Sequence, residues 1–441
     1  MDRTSYGSRA QQAIGEGVDD QLKTVNRTIV LHLFLLLCIV LLSGALQRPL
    51  GGDTLEGSMT GGFTRAQNQI ILVLGAGVYA AALSLLVFHT RKITVYWQMW
   101  PALALNMLAI ISVLWSVNPS QTLLRSAGLT GCTIIAVYTI STFSLREFLR
   151  QLVHFSVALV LFTFAAALLS RGYAYHGTSE FYSEHAGLLK GFFVHKNTFA
   201  KILSVCLIIL VCWGGQFIRI RWLFWAVLIC GFYLLYQTGS AKTFASVPFA
   251  IVGGYIFAHL RTSGQRLGFL IFGILAWTVV EAFDLIGWAM SLALEVLDRD
   301  PTLSGRTLIW QGAFEGVLRQ NIFLGGGYEA AWQGVIGETV RAWAGFDPGH
   351  PHNGFINTIL ELGIVGLAVL AVHFLVLTAT LVSLPKGTSR RLHNFVVSWT
   401  ILLITNNLSG TFMMLPGDLY WYLLLLAPAM MRWNLREDPV R

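Results

Sequence analysis

The constraint that leaves this chain least choice is a succession of apolar runs, each roughly 17–25 residues long and separated by short polar turns. A helix of about 20 apolar residues just crosses the hydrocarbon core of a bilayer. Within that core a backbone must satisfy all its own hydrogen bonds, which helices do segment by segment. The expected fold class is therefore an all-α polytopic membrane protein. Composition agrees: 12% of the 441 residues are charged and 55% are hydrophobic, against about 25% charged in soluble domains. Disordered, fibrous and disulfide-scaffold classes are excluded on the same ground. The five cysteines all lie inside apolar runs, with no CxxC pair, so they read as small core residues.

Twelve spans are expected, near 29–46, 69–88, 98–115, 122–142, 151–170, 198–215, 222–238, 243–260, 267–284, 355–384, 393–409 and 419–433. This divides the chain into a cytoplasmic tail (1–28), spans one to nine (29–297), a large outer loop (298–353), spans ten to twelve (354–433) and a second tail (434–441). The first tail is polar and of mixed charge, unlike a secretory signal. With the N-terminus inside, eighteen of the 30 Lys and Arg fall on cytoplasmic segments, and each internal cytoplasmic loop carries at least two. That is the positive-inside distribution, and it accounts for much of the net charge of +8 without invoking nucleic acid. The other 12 are the informative remainder. They include Arg48, Arg125, Lys190, Lys196, Lys201, Lys242, Arg306 and Arg341 on outer loops or outer helix ends, where an anionic ligand would explain them.

Two outer loops are long enough to be functional. One, Arg171–Asn197, holds Tyr173, Tyr175, His176, His185, Lys190, His195 and Lys196. The other, Asp298–Asn353, is expected to contain a helix capped by Ser304 and ended by Gly325-Gly326-Gly327, then a second helix over Tyr328–Trp343. Arg306 falls in the first turn of the former, where free N–H groups and the helix dipole already favour phosphate. Read alone it is more often a solvated or salt-bridged loop arginine. His352 is a candidate general base beside Asn353, a candidate cap for the tenth span; it is equally an interfacial polar residue. Glu361, two turns into that span, is expected to face the bundle and pair with an outer basic residue. Lys242 follows a tight turn at the outer start of the eighth span. Lys190, His195, Lys196 and Arg125 complete a basic set that either anchors helices or lines a cavity. Asp298-Arg299-Asp300 is a DxD on the outer side and reads as a turn. The histidines lack zinc-site spacing, so no metal is implied. A secondary transporter needs charged or glycine-interrupted spans that are scarce here.

His352-Asn353, nine residues, Gly363, two residues, Gly366 resembles the signature of the O-antigen ligases and their relatives, the O-antigen polymerases and protein O-oligosaccharyltransferases. Ser304-Gly305-Arg306 with Trp310, the Gly325–Gly327 run, Leu114–Pro119 and Phe193–Asn197 are similar to further landmarks of that family. The resemblance implies a GT-C-like membrane fold and a metal-independent glycosyltransferase without cofactors. It implies an undecaprenyl-pyrophosphate-linked glycan as donor, a sugar hydroxyl of lipid A–core as acceptor, a setting among membrane lipids, and a site at the periplasmic face of a Gram-negative inner membrane. By that resemblance His352 is the catalytic base and Arg306 binds the diphosphate. Lys242, a lysine where arginine is usual in the family, is carried over as a second diphosphate-binding residue, and Arg125, Lys190, Lys196 and His195 are further diphosphate candidates. Asn353 and Glu361 are supporting residues, and Gly363 and Gly366 are expected to thin the tenth helix for close packing.

Overall fold

A computed structural model describes residues 26–51, 65–178, 185–283, 285, 304–383 and 389–433. Every extended element among these is helical, the one β contact being an isolated bridge between Tyr175 and Leu189. In chain order the helices are α1 (Asn26–Leu42), α2 (Arg65–Phe88), α3 (Trp100–Ile111), α4 (Pro119–Thr142), α5 (Leu145–Leu169), α6 (Lys196–Ile209), α7 (Arg221–Gln237), α8 (Ala241–His259), α9 (Ser263–Ala282), α10 (Ser304–Gln320), α11 (Val335–Ala344), α12 (Gly354–Ser383), α13 (Arg390–Ser409) and α14 (Leu419–Trp433). Their ends follow local chemistry. Asn118 caps α4 through Gln121 N–H at 3.1 Å, with Pro119 at the first helical position. Ser144 and Glu147 form a reciprocal capping box on α5.

Eight of these segments are long and apolar enough to cross a membrane: Gln69–Phe88, Trp97–Leu114, Pro119–Thr142, Leu145–Leu169, Lys196–Phe217, Ala241–His259, Ser263–Val280 and Gly354–Ser383. The chain is a multi-pass membrane protein. Twelve spans were expected; the other four fall on helices that do not meet the same measure. α1, α7 and α14 are shorter, α7 having 17 residues and α14 15. α13 carries Arg390, Arg391, His393, Asn394, Asn406 and Asn407. The outward faces of the long helices expose large apolar side chains such as Val73, Phe162 and Phe272, the pattern of a lipid-facing surface. α6 and α14 are buried almost throughout. Where α6 meets the turn before α14, Lys201 Nζ lies 2.6 Å from Asp418 Oδ2. This outer basic residue is therefore a packing partner of the bundle. Arg48 is another: it is buried and donates to the carbonyls of Tyr173 and Gly191, with its guanidinium 3.8 Å over the Tyr173 ring.

α10 and α11 form a unit beside this bundle with a small core of their own, built from Ile309, Ala313, Val317, Ala331, Ile336, Val340 and Leu360. Gly312 and Gly316 let the two backbones touch: a Cβ on either would lie 2.8 Å from Val340 Cα or 2.7 Å from Ile336 Cα. Two expectations for this loop need correction. α10 ends at Gln320, ahead of the glycine run, where Asn321 Oδ1 accepts from Phe323 and Leu324 N–H. The second helix starts only at Val335, after a 3-10 turn at Ala331–Gln333, because residues 322–330 are engaged elsewhere.

They are engaged with α12, which is broken. Gly363 sits at φ 66°, ψ −167°, inside what the sequence reads as one apolar helix. Residues 322–327 run through the opening. Gly326 and Gly327 donate to the carbonyls of Leu360 and Glu361 at 2.8 and 2.9 Å, while Ile364 and Val365 donate to those of Ile322 and Phe323 at 2.9 and 3.3 Å. The groups a helix break leaves orphaned are thus satisfied by the intruding segment. On the far side of the same segment, Val117 N–H bonds Gly326 O at 3.0 Å, Trp115 Nε1 bonds Leu324 O at 2.9 Å, and Ser112 Oγ accepts from Tyr328 N–H at 3.1 Å. Two stretches flagged separately in the sequence, Leu114–Pro119 and Gly325–Gly327, are one seam. Gly363 is therefore a backbone break rather than a thinned helix surface.

Candidate functional site

The site is built where α12 begins. Asn353 caps the helix, its Oδ1 accepting from Phe355 and Ile356 N–H at 2.9 and 3.1 Å, and its Nδ2 reaches Leu408 O on α13 at 3.4 Å. Gly354 packs directly on Asn407 of the same neighbour. His352, just outside the cap, is half-buried and has φ 52°, a left-handed conformation that few residues with a side chain adopt. Its ring stands edge-on to His350 at 4.1 Å between centroids, and its N–H donates to His350 Nδ1 at 3.2 Å. Across from it, α10 contributes Arg306 from its first turn and Trp310 one turn later, whose Nε1 donates to Pro351 O at 2.8 Å.

The electrostatics show what converges. His352 is pushed down to about 3, first by burial and then by His350, Arg306 and Lys242. His350 is also lowered, by burial and then Arg306. So the cations at the start of α10 and at the start of α8, far apart in sequence, bear on one imidazole and hold it neutral at ordinary pH. A neutral imidazole can take a proton, and flanking cations can hold phosphate oxygens.

The remaining predicted residues separate into two other groups. His195 caps α6, its Nδ1 accepting from Asn197 N–H at 3.1 Å. Its ring lies 5.5 Å from His176 and 5.2 Å from His185. Burial, followed by His176, His185, Lys196 and Lys190, lowers it to about 3. Lys190 and Lys196 are both buried. This cluster adjoins the turn leading to Lys242, through a bond from Leu189 N–H to Gln237 O at 2.9 Å and Leu188 packed on Gly239, but its charges are not among those that act on His352.

Arg125 is also displaced from the expected set: its charge acts on Glu329 and Tyr328. Glu329 was not foreseen. It has φ 56°, and burial of its carboxyl raises it above the usual range, with Arg125 opposing. Glu361 was expected to pair with a basic residue. Instead Asn357 Nδ2 donates to it at 2.8 Å, and the charge facing it is that of Glu329. Asn353, Asn357 and Glu361 form a polar stripe at four-residue spacing. Asp298-Arg299-Asp300 lies outside the described residues.

Comparison with known proteins bears directly on this arrangement. Residues 192–371 match the O-antigen ligase family. That stretch is similar to the O-antigen ligases. The matched stretch runs from just before α6 through the first part of α12, and so contains Lys242, Arg306, Trp310, residues 322–327, His352 and Gly363; the other side of the seam, Leu114–Pro119, precedes it, as do Arg125 and Lys190. A second similarity extends further. Over 354 residues, 72% of this chain and 77% of the relative, it is 26% identical to the exopolysaccharide production protein ExoQ of Rhizobium meliloti (strain 1021). The stretch similar to the O-antigen ligases thus holds the converging cations and imidazole on a broken helix. Three of its features had no visible sign in the sequence: the Trp310–Pro351 bond, the Glu329 carboxyl, and the threading at Gly363. The positive φ at Glu329 and the ψ at Gly363 belong to the backbone, and residue type alone does not announce them.

Proposed function

We propose that the protein transfers a glycan from a lipid diphosphate, undecaprenyl pyrophosphate, to a sugar hydroxyl at the periplasmic face of a Gram-negative inner membrane. The observation that carries the reading is the convergence of Arg306 and Lys242 on His352. The acceptor hydroxyl oxygen attacks the anomeric carbon as the bond from that carbon to the diphosphate oxygen breaks. The hydroxyl proton passes to His352, and the electron pair leaves with the lipid diphosphate, whose growing negative charge Arg306 and Lys242 stabilise. Those cations do what a divalent metal does in other glycosyl transfers. In-line attack inverts the anomeric configuration, since no second nucleophile is needed.

Burial together with His350, Arg306 and Lys242 would by itself make His352 a feeble base. The donor supplies the correction: its diphosphate offsets the two cations, which removes part of what depresses His352 and returns its pKa towards the range useful for proton transfer. The base is thus strengthened when the leaving group is in place.

Three acceptors fit this chemistry. Lipid A–core makes the protein an O-antigen ligase. A second lipid-linked glycan makes it a polymerase, a reading favoured by the similarity to an exopolysaccharide production protein; a protein hydroxyl is the third member of the class. Purified protein incubated with lipid-linked glycan and either lipid A–core or a second lipid-linked glycan, with and without EDTA, decides between them by product. His352→Ala is expected to reach the membrane and transfer nothing; full transfer by that variant would refute the reading, and EDTA sensitivity would refute the metal-free route. Carriage of labelled glycan across liposomes without transfer would point instead to a transporter.

A further inference from the structure

We infer that Trp310 is a positioning residue for the reaction: its indole N–H, bonded to the Pro351 carbonyl, holds His352 at the angle from which it works. The inference rests on the reading of His352 as the base.

The argument starts from the peptide unit between Pro351 and His352. That unit has two polar atoms, the Pro351 carbonyl oxygen and the His352 N–H. Trp310 Nε1 donates to the first at 2.8 Å, and the second donates to His350 Nδ1 at 3.2 Å. Both ends of one rigid plane are therefore pinned by side chains, and the plane cannot turn. Its tilt about the N–Cα bond of His352 is the φ of His352, which stands at 52°. A residue with a side chain pays about 1–2 kcal/mol to occupy that region, so released from its bonds the peptide would relax and carry the imidazole away.

The source of the bond matters as much as its existence. Trp310 lies four residues after Arg306, one turn on along the same face of α10. The helix that brings the diphosphate-binding cation therefore also grips the backbone of the base, and the two cannot drift apart independently. The far end of the same unit is held by the seam, in which residues 322–327 are bonded to both sides of the α12 break. Trp310 is half-buried against the small core of the α10–α11 unit, which fixes the direction of its N–H. It touches no reacting atom in the proposed chemistry, so it acts through His352.

Two changes isolate the donor. Trp310→Phe keeps an aromatic ring. Benzothienylalanine, inserted at 310 by codon suppression, keeps the full bicyclic shape and replaces only the N–H with sulfur, so it remains informative if the phenylalanine variant misfolds. The measurements are kcat and KM for the lipid-linked donor, and binding of undecaprenyl pyrophosphate without glycan. Loss of one such bond is expected to lower kcat about tenfold, with KM and lipid diphosphate binding unchanged. Wild-type kcat in the benzothienylalanine protein overturns the inference. So does a parallel loss of kcat and lipid diphosphate binding, which marks a structural role only. Failure of the underlying reading has a different signature, namely transfer by His352→Ala with Trp310 intact.

Discussion

Gly363→Ala is the most severe single-methyl change the structure allows near the site. Its backbone, at φ 66° and ψ −167°, occupies a region essentially reserved for glycine, and a side chain there costs about 1–3 kcal/mol. Space is a separate obstacle. A Cβ would fall on the Phe323 carbonyl and Leu324 N, far inside the 3.0 Å that such carbons essentially never breach, and both obstacles are backbone rather than yielding side chain. Relief requires residues 322–327 to withdraw from the opening, with loss of the bonds from Gly326, Gly327, Ile364 and Val365, each contributing about 1 kcal/mol net. The combined penalty is about 5 kcal/mol, a large share of the roughly 5–15 kcal/mol that holds a folded chain together. At about 2 °C per kcal/mol for a large domain, the unfolding temperature in detergent should fall by about 10 °C. Transfer should collapse even at permissive temperature, since His352 and Arg306 lose their common frame. Gly268→Ala and Gly273→Ala on α9 serve as matched controls: nothing lies within 4 Å of a Cβ at either position, and alanine in an ordinary helix gains up to about 1 kcal/mol. A Gly363→Ala protein that melts within about 2 °C of wild type and transfers normally would refute the threaded break.

The pH dependence follows from the histidines. In the free protein His352 titrates at about 3, so kcat/KM should hold its base form well below neutral pH, whereas kcat, reporting the donor-bound state, should lose activity at a higher pH; an acid limb in kcat/KM above 6.5 would contradict this. Stability moves with the same protons. His195 is also lowered to about 3, so from its ordinary 6.5 downward the unfolded chain binds a proton the folded chain refuses, and stability falls as pH drops through that window. Unfolding temperature measured against pH should show a shallower slope in His195→Gln; an unchanged slope would count against it. Lys201→Met leaves the half-buried Asp418 carboxylate without its buried partner at 2.6 Å and should cost about 3 kcal/mol, part of which the double variant with Asp418→Asn should restore; a double variant as unstable as the single would argue against a direct pair.

How far the sequence could be read depended on which atoms carried the information. Helix positions were legible because apolar residues recur over whole segments, and the bounds of α5 and α13 are fixed by Ser144 and Ser389 as caps. His352, Arg306 and Lys242 could be proposed together because a motif and two basic residues at helix starts point to one chemistry. Charge count alone does not sort these residues by what they touch. Lys201 and Arg48 serve packing, Arg125 faces Glu329, and the His195 cluster stands apart, since a lysine that binds a ligand and one that ties two helices look the same along a chain. Glu361 was misassigned for a related reason: its neighbours come from residues 322–330, whose course depends on the ψ of one glycine. Hydropathy could not reveal that break, because a glycine inside an apolar run scores as a harmless member of it.

The break also changes how tall the tenth span is. Thirty residues of unbroken helix would stand about 45 Å high, half as much again as the roughly 30 Å of a hydrocarbon core. Cut at Gly363, the lower piece, Ile364–Ser383, measures about 30 Å and fits that thickness without tilt. The first piece, which Asn353 caps and which carries Asn357 and Glu361, is then not needed to reach across that thickness. Its bonds run to residues 322–327 and to Leu408, so its position is set by the segment that follows α10 and by the end of α13. Bilayer thickness can vary beneath it, and the lower piece can adjust, without carrying the imidazole at its tip nearer to the membrane or farther away.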